Sequence, residues 1–149
     1  MSQDFYNRID LTTDNRYTLA KVTKDIVANI DKQLIVKVYL EGAYNVATGL
    51  MKTNLVNNNL LPNSQPFNTS PWNYNGNENV ATVNEIPNNA VDWVLIELRD
   101  ATNSDILIAQ RAAFLLNDGS LQDVNGRAGA SFLGITSNNY QLVVRSRNH

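Results

Sequence analysis

The sequence predicts a mainly β fold, an antiparallel β-sandwich preceded by an N-terminal arm. Two observations lead to this prediction. Residues 34–41 alternate between apolar and polar positions, which is typical of a strand with one buried face. Apolar segments then recur between turn signals about every 8–12 residues, as in a sandwich of about seven short strands. We therefore expect residues 34–149 to form the sandwich and residues 1–33 to form the arm.

The arm shows the spacing of an amphipathic helix from about Arg16 to Asp31. Four apolar residues share one face of the helical wheel: Leu19, Val22, Ile26 and Ile30. The alternative is an extended strand through Tyr17, Leu19 and Lys21, because Thr and Val are common in this segment. In either form we expect the four apolar residues to pack on the chain's own domain or on another copy, which makes them candidate assembly residues.

The remaining strands are expected in six segments: residues 80–83, 91–99, 106–116, 120–124, 131–133 and 140–145. Residues 91–99 are almost continuously apolar, as expected for a central strand, and Trp93 is therefore expected in the core. Residues 106–116 could be helical on propensity alone. However, Asn117-Asp118-Gly119 follows them as a tight turn, which favours a strand.

Residues 43–89 form a long Asn- and Pro-rich loop region. It contains 14 of the 23 asparagines and all four prolines. Asparagine favours turns and tolerates the left-handed backbone region. Apolar and aromatic residues are interspersed, which a disordered linker would lack, so we expect an ordered loop held by these side chains. Ordered loops of this length are usually functional or cover the edge of a sheet.

A ligand site is one expectation for this loop. Trp72 and Tyr74 would lie on the same side of an extended chain and could stack on a sugar, while Asn73 and Asn75 could bind its hydroxyl groups. The alternative is that the two aromatic rings anchor the loop on the sandwich.

Composition excludes several classes of site. The chain has no cysteine, and its single histidine is the final residue, so thiolate chemistry and a His-dependent triad are not expected. The net charge of -2 argues against binding to nucleic acid. No run of 18 apolar residues predicts a transmembrane helix, and the polar N-terminus does not resemble a signal peptide. We expect no cofactor.

Acidic residues suggest two further sites, neither of which we favour. Asp118, Asp123 and Asn125 carry ligands suited to calcium, but their spacing differs from a calcium loop, so turn roles are expected and no metal. Asp92, Glu97 and Asp100 could supply paired carboxylates for glycoside hydrolysis, but the odd spacing of Asp92 and Glu97 puts these two on opposite faces of one strand. We expect Glu97 to form cross-strand ion pairs, and we expect no enzymatic activity.

Five arginines are expected on solvated faces: Arg99, Arg111, Arg127, Arg145 and Arg147.

Six segments in a fixed order carry a family resemblance: LEGAY at 40–44, TGLM at 48–51, QPF at 65–67 with WNYNG at 72–76, VDWVLIELRD at 91–100, AFLLNDGS at 113–120 and YQLVVRSRNH at 140–149. In this order they resemble an Ig-like β-sandwich domain of large surface proteins in Bacteroidetes and related bacteria. The C-terminal strand–turn–strand rhythm also resembles prealbumin-like sandwich modules. The resemblance covers about residues 34–149, and this chain has Ser146 where the family typically has a histidine.

The expected function is that of a non-enzymatic structural protein of a phage virion. A phage infecting such bacteria could acquire an extracellular domain from its host, and a chain without an export signal fits assembly inside the cell. The arm would bind other copies and capsid proteins, and the sandwich would be displayed on the virion. The alternative is a secreted adhesin or carbohydrate-binding module at the bacterial surface, with host or surface glycans as ligands.

Overall fold

The computed structural model describes residues 8–11, 20–22, 32–136 and 139–147, with backbone alone for 8–11, 20–22 and 32. The predicted mainly β fold is confirmed. The strands are β1 (Arg8–Leu11), β2 (Ala20–Val22), β3 (Lys32–Leu34), β4 (Lys37–Leu40), β5 (Tyr44–Asn45), β6 (Leu50–Met51), β7 (Ala90–Asp100), β8 (Leu107–Leu116), β9 (Leu121–Gln122), β10 (Ala130–Phe132) and β11 (Tyr140–Ser146). Two single turns of helix interrupt them, α1 (Asn54–Asn57) and a 3₁₀ turn (Val83–Glu85).

The largest sheet has the strand order β2-β11-β7-β8-β9, and all its neighbours are antiparallel. Strand β7 lies at its centre, between β11 and β8. It is buried from Ala90 to Leu98, which explains why its sequence is almost continuously apolar rather than alternating. Trp93 lies in the core, as predicted.

The first face of this sheet packs against the layer formed by the short strands. Val94, Ile96 and Leu98 of β7 point to this face, and they pack with Val38 of β4 and Phe132 of β10. Within residues 35–40, Val36, Val38 and Leu40 are buried while their neighbours are exposed or half-buried, which confirms the predicted alternation. This core is the apolar interior of the sandwich.

The second face is covered by the Asn- and Pro-rich loop. Trp93 and Leu95 point to this side, and apolar residues of the loop pack over them. The loop contributes five buried side chains to this second core: Leu61, Phe67, Tyr74, Val80 and Ile86. The Trp93 indole nitrogen donates a hydrogen bond to the Pro62 carbonyl at 2.9 Å, which fastens the loop to the central strand. The expectation of an ordered loop is therefore correct.

Two local predictions are wrong. The sequence predicts a strand over residues 80–83, but the chain makes the 3₁₀ turn at Val83–Glu85 instead. Only Val80 of this segment packs in the second core, whereas Val83 is 47% exposed. A helix from about Arg16 to Asp31 is contradicted at Ala20–Val22, where the backbone is strand β2 and pairs with Leu142–Tyr140 of β11. Lys21 is paired as a strand residue, which agrees with the extended alternative. Pairing with the edge of the sheet stabilises this short segment more than its helical spacing does.

The N-terminal strands lie on the edges of the sheets. Strand β1 runs parallel to β4, with Ile9 opposite Val38, and β2 runs antiparallel to β11, with Lys21 opposite Gln141. No helix in the described part of the chain is long and apolar enough to span a membrane.

The second core predicts a large cost for removing a loop side chain. Phe67 is fully buried and contacts the Trp72 ring edge-to-face at a centroid distance of 5.3 Å. We expect Phe67→Ala to lower the free energy of unfolding by about 3–5 kcal/mol, because it leaves a cavity against β7. Urea denaturation monitored by tryptophan fluorescence measures the change.

Leu60→Ala is the matched control, because Leu60 lies in the same loop but is 63% exposed. It is expected to change the stability by less than about 0.5 kcal/mol. A loss below about 1 kcal/mol for Phe67→Ala would contradict the assignment of the loop to the core.

Candidate functional site

The loop segment around Trp72 is the predicted ligand site. Trp72 is half-buried against Phe67, while Asn73 and Asn75 are exposed. Asn73 adopts a left-handed backbone conformation with φ of 48°, a turn role in keeping with the asparagine content of this loop. Tyr74, however, is only 9% exposed and belongs to the second core. The structure therefore does not bring Trp72 and Tyr74 onto one exposed face, and Tyr74 anchors the loop.

The Tyr74 hydroxyl explains this orientation. It donates a hydrogen bond to Glu78 Oε1 at 2.5 Å and lies 3.4 Å from the Gln110 carbonyl of β8. Burial, followed by the hydrogen bond to Glu78, raises the pKa of Tyr74 well above its ordinary value, so the hydroxyl keeps its proton. Gly76 makes the turn possible, since a side chain at this position would overlap both the Tyr74 ring and the Glu78 carboxylate.

Glu78 and Arg111 connect the loop to the edge of β8. Glu78 Oε1 accepts the backbone N–H of Ala112 at 3.4 Å and lies 3.4 Å from Arg111 Nη1. Arg111 Nη2 also donates to Asp123 Oδ1 at 2.7 Å, and Asp123 is fully buried. Arg111 is therefore shared between two buried carboxylates from different parts of the chain. This network pins the loop against the sheet.

Glu97 is the centre of a second ionic cluster, on the same face of β7 as Trp93 and Leu95. Its Oε1 accepts from Arg145 Nε at 2.7 Å, across the strands, and its Oε2 accepts from Arg99 at 2.8 Å. Gln110 donates a further hydrogen bond to Oε1. Burial by itself would raise the pKa of Glu97, but the hydrogen bonds from Arg145 and Arg99 outweigh it and hold the pKa below its ordinary value of 4.5.

Asp92 forms a separate ion pair with Arg147, on the opposite face of β7 from Glu97. Its Oδ1 accepts from Arg147 Nη2 at 2.6 Å and from Nε at 3.1 Å. The backbone N–H of Trp93 also donates to Oδ1. Asp92 and Glu97 are thus separated by the sheet, as their odd spacing predicts, so they do not form the carboxylate pair of a glycosidase.

Four arginines lie in ion pairs rather than on solvated faces. Of these pairs the sequence predicts those of Glu97, including the cross-strand pair with Arg145. Arg99, Arg111, Arg145 and Arg147 all bind buried carboxylates, so the expectation of solvated faces is wrong for these four. For Asp92 and Glu97 the sequence contains one signal, namely an acidic residue inside an otherwise apolar strand, since a buried carboxylate needs a partner.

Of the three residues considered for calcium, Asp118 and Asn125 have the expected turn roles, whereas Asp123 is the buried partner of an arginine. Asp118 Oδ1 accepts from the backbone and hydroxyl of Ser120, and Asn125 accepts the backbone N–H of Arg127. Asp123 is bound by Arg111. Within the part of the chain that the structure describes, no group of three or more His, Cys, Asp or Glu side chains is placed to hold a metal ion.

The candidate assembly residues are only partly within the described chain. Val22 lies in β2, where its backbone pairs with Tyr140. Leu19, Ile26 and Ile30 lie outside the described residues. Their assembly role stays a prediction.

The comparison with protein families matches the N-terminal part of the chain. Residues 13–61, a third of the chain, match the family model of a domain of unknown function, DUF7088. No curated protein and no solved structure matches the chain. The matched segment ends at Leu61, inside the loop that covers the second core, so it includes β2 to β6 and α1 but neither β7 nor β8.

The Glu97 cluster predicts a pH-dependent stability. Because the folded-state pKa of Glu97 is depressed, its contribution is present above its unfolded pKa and is lost as the pH falls through the folded pKa. We expect Glu97→Gln to lower the free energy of unfolding at pH 7 by about 1–3 kcal/mol, because two arginines lose their counter-charge. The difference from the wild type should shrink between about pH 5 and pH 3.

Urea midpoints measured across this pH range test the prediction. Asp105→Asn is the control, since Asp105 is exposed, and its effect should be near zero at every pH. A difference between Glu97→Gln and the wild type that stays constant down to about pH 3 would show that Glu97 does not contribute through its charge.

Proposed function

We propose that the chain is a non-enzymatic structural protein of a phage virion that displays its sandwich and assembles through its N-terminal segment. Its partners would be other copies of itself and further capsid proteins. The position of β2 carries this proposal. In the described sheet β2 is the outermost strand and pairs with β11, so a strand from the N-terminal segment completes an edge of the main sheet.

An edge strand supplied by a separate segment is suited to exchange between copies. Eight residues separate β1 from β2 and nine separate β2 from β3. Extended, these connections reach at most about 26–32 Å. That length lets β2 add to β11 of a neighbouring copy with the same hydrogen bonds that it makes in its own chain. The resemblance of residues 34–149 to bacterial surface domains supports a displayed role for the sandwich.

Engineered disulfides distinguish exchange between copies from pairing within one chain. The chain has no cysteine, so Lys21→Cys with Gln141→Cys places a single pair at opposing register positions of β2 and β11. If β2 is exchanged, mild oxidation should give covalent dimers or larger species on a non-reducing gel. Light scattering of the untreated protein should show the same oligomers.

The control is Asn45→Cys with Leu50→Cys, opposing positions of the β5–β6 hairpin that must pair within one chain. This variant should give only crosslinked monomers. A crosslinked monomer for Lys21→Cys with Gln141→Cys, together with a monomeric wild type, would overturn the proposed assembly.

A second candidate function is glycan binding, as an adhesin or carbohydrate-binding module outside the cell or at the bacterial surface. One observation favours it. The Trp72 ring contacts Phe67 edge-to-face and is only partly buried, and Asn73 and Asn75, which follow it in the chain, are exposed. A partly exposed indole beside amide groups is the usual composition of a sugar-stacking surface.

Trp72→Ala tests this candidate on a glycan array. Loss of stacking should weaken any glycan binding at least about tenfold, which corresponds to about 1.4 kcal/mol. Asn68→Ala is a suitable control, because Asn68 is an exposed amide of the same loop. Absence of binding by the wild type to every glycan, or equal binding by Trp72→Ala, would exclude a sugar site at Trp72.

A further inference from the structure

A cleft opens at one end of the sandwich, where the apolar interior of the first face stops. Its volume is about 210 Å³, enough for a ligand of a few non-hydrogen atoms. It lies between the turn after β4, helix α1, the start of β7 and the end of β11. The lining residues are Leu40, Gly42, Ala43, Lys52, Asn54, Leu55, Val91, Asp92 and Ser146.

Ser146 gives the cleft a polar floor. It is 4% exposed, and its hydroxyl oxygen has no hydrogen-bond partner among the described residues. Ser146 is paired in register with Val94, so it is a diagonal neighbour of Asp92 on the first face of β11 and β7. A buried hydroxyl that binds nothing is costly to the folded protein, and a ligand group in the cleft would remove that cost.

Asp92 offers an acceptor next to this hydroxyl. It is 2% exposed, and its hydrogen bonds from Arg147 and from the Trp93 backbone all go to Oδ1. Oδ2 receives no hydrogen bond from any residue that the structure describes. The cleft therefore presents one hydroxyl donor and one carboxylate acceptor, projected from two adjacent strands.

The charges around the cleft select a neutral ligand. Arg147 already neutralises Asp92, and Lys52 contributes a further positive charge on the exposed part of the wall. An ammonium group would be repelled by both cations, and a carboxylate has no N–H or O–H to donate to Asp92 Oδ2. The remaining wall includes Leu40 and Leu55, which suit a short aliphatic body.

We propose that this cleft binds a primary carboxamide on a short aliphatic chain, as in the side chain of asparagine or glutamine. The carboxamide N–H would donate to Asp92 Oδ2, and its oxygen would accept from Ser146 Oγ. A hydroxyl group matches less well, because it must reach both partners from a single atom, whereas a carboxamide carries donor and acceptor on two atoms. A free amino acid and an extended peptide both supply this chemistry. The proposal is independent of the assembly and glycan candidates.

Titration of the ¹⁵N-labelled full chain with propionamide tests the proposal by NMR. Ligands with so few non-hydrogen atoms bind in the millimolar range, so concentrations up to about 100 mM are needed. Shifts are expected in the backbone amides of Ala43, Leu55, Asp92 and Ser146. N,N-dimethylpropionamide, which keeps the acceptor but has no N–H donor, should bind at least about tenfold more weakly. No shift in these amides, or equal binding of the dimethyl compound, would overturn the proposal.

Ser146→Ala assigns the binding to the floor of the cleft. The Ser146 hydroxyl has no described hydrogen-bond partner, so the variant should fold, and its NMR spectrum will show this. The variant should bind propionamide at least about fivefold more weakly. Ser64→Ala, an exposed serine outside the cleft, should bind as the wild type does. Unchanged affinity in Ser146→Ala would contradict the proposed contact.

Comparing L-glutamine with N-acetyl-glutamine methylamide then distinguishes a free amino acid from a peptide as the source of the carboxamide.

Discussion

Burial of β7 on both faces is the constraint on which the rest of the structure depends. A strand that is buried at every position from Ala90 to Leu98 cannot serve as an edge, so it must lie at the centre of a sheet and needs a cover on each side. The short strands cover one face with residues such as Val38 and Phe132. The other face is covered by a loop rather than by a second sheet, and the hydrogen bond from the Trp93 indole to the Pro62 carbonyl holds that loop in place.

The ion pairs of Glu97 and Asp92 mark the places where these two covers end. Along the second face of β7, Trp93 and Leu95 lie under the loop and Glu97 lies beyond it, bound by Arg99 and Arg145. Along the first face, Asp92 precedes Val94 and is bound by Arg147. Each carboxylate is nearly inaccessible to water, so removing its arginine would leave a buried charge. These pairs therefore also resist a one-residue slip of β7, which would exchange the two faces.

The sequence predicts the features that arise from local pattern. The continuous apolar character of residues 91–99 identifies the central strand, and the aromatic residues within 43–89 identify an ordered loop. What the sequence does not predict depends on contacts distant along the chain. Arg111 binds Glu78 and Asp123, but nothing in its neighbourhood along the chain names those partners. The same limit applies to Tyr74, which the sequence places on an exposed platform. The alternation of side chains along an extended loop does not reveal which side of the loop faces the core.

The two edges of the main sheet are closed in different ways, and the difference bears on assembly. At β8, residues 114–115 pair with β9, while Glu78 binds the N–H of Ala112 and Tyr74 lies against the carbonyl of Gln110. Side chains thus occupy outward backbone groups that could otherwise pair with another strand. At β11 the closing element is β2, a strand from a segment that precedes the sandwich in the chain. At the β8 edge, side chains of the chain's own loop do the closing, so they offer no strand for exchange. Strand β2 has long connections, so it can leave one copy and pair with another. Of the two edges of the main sheet, the β11 edge is therefore the one suited to strand exchange between copies.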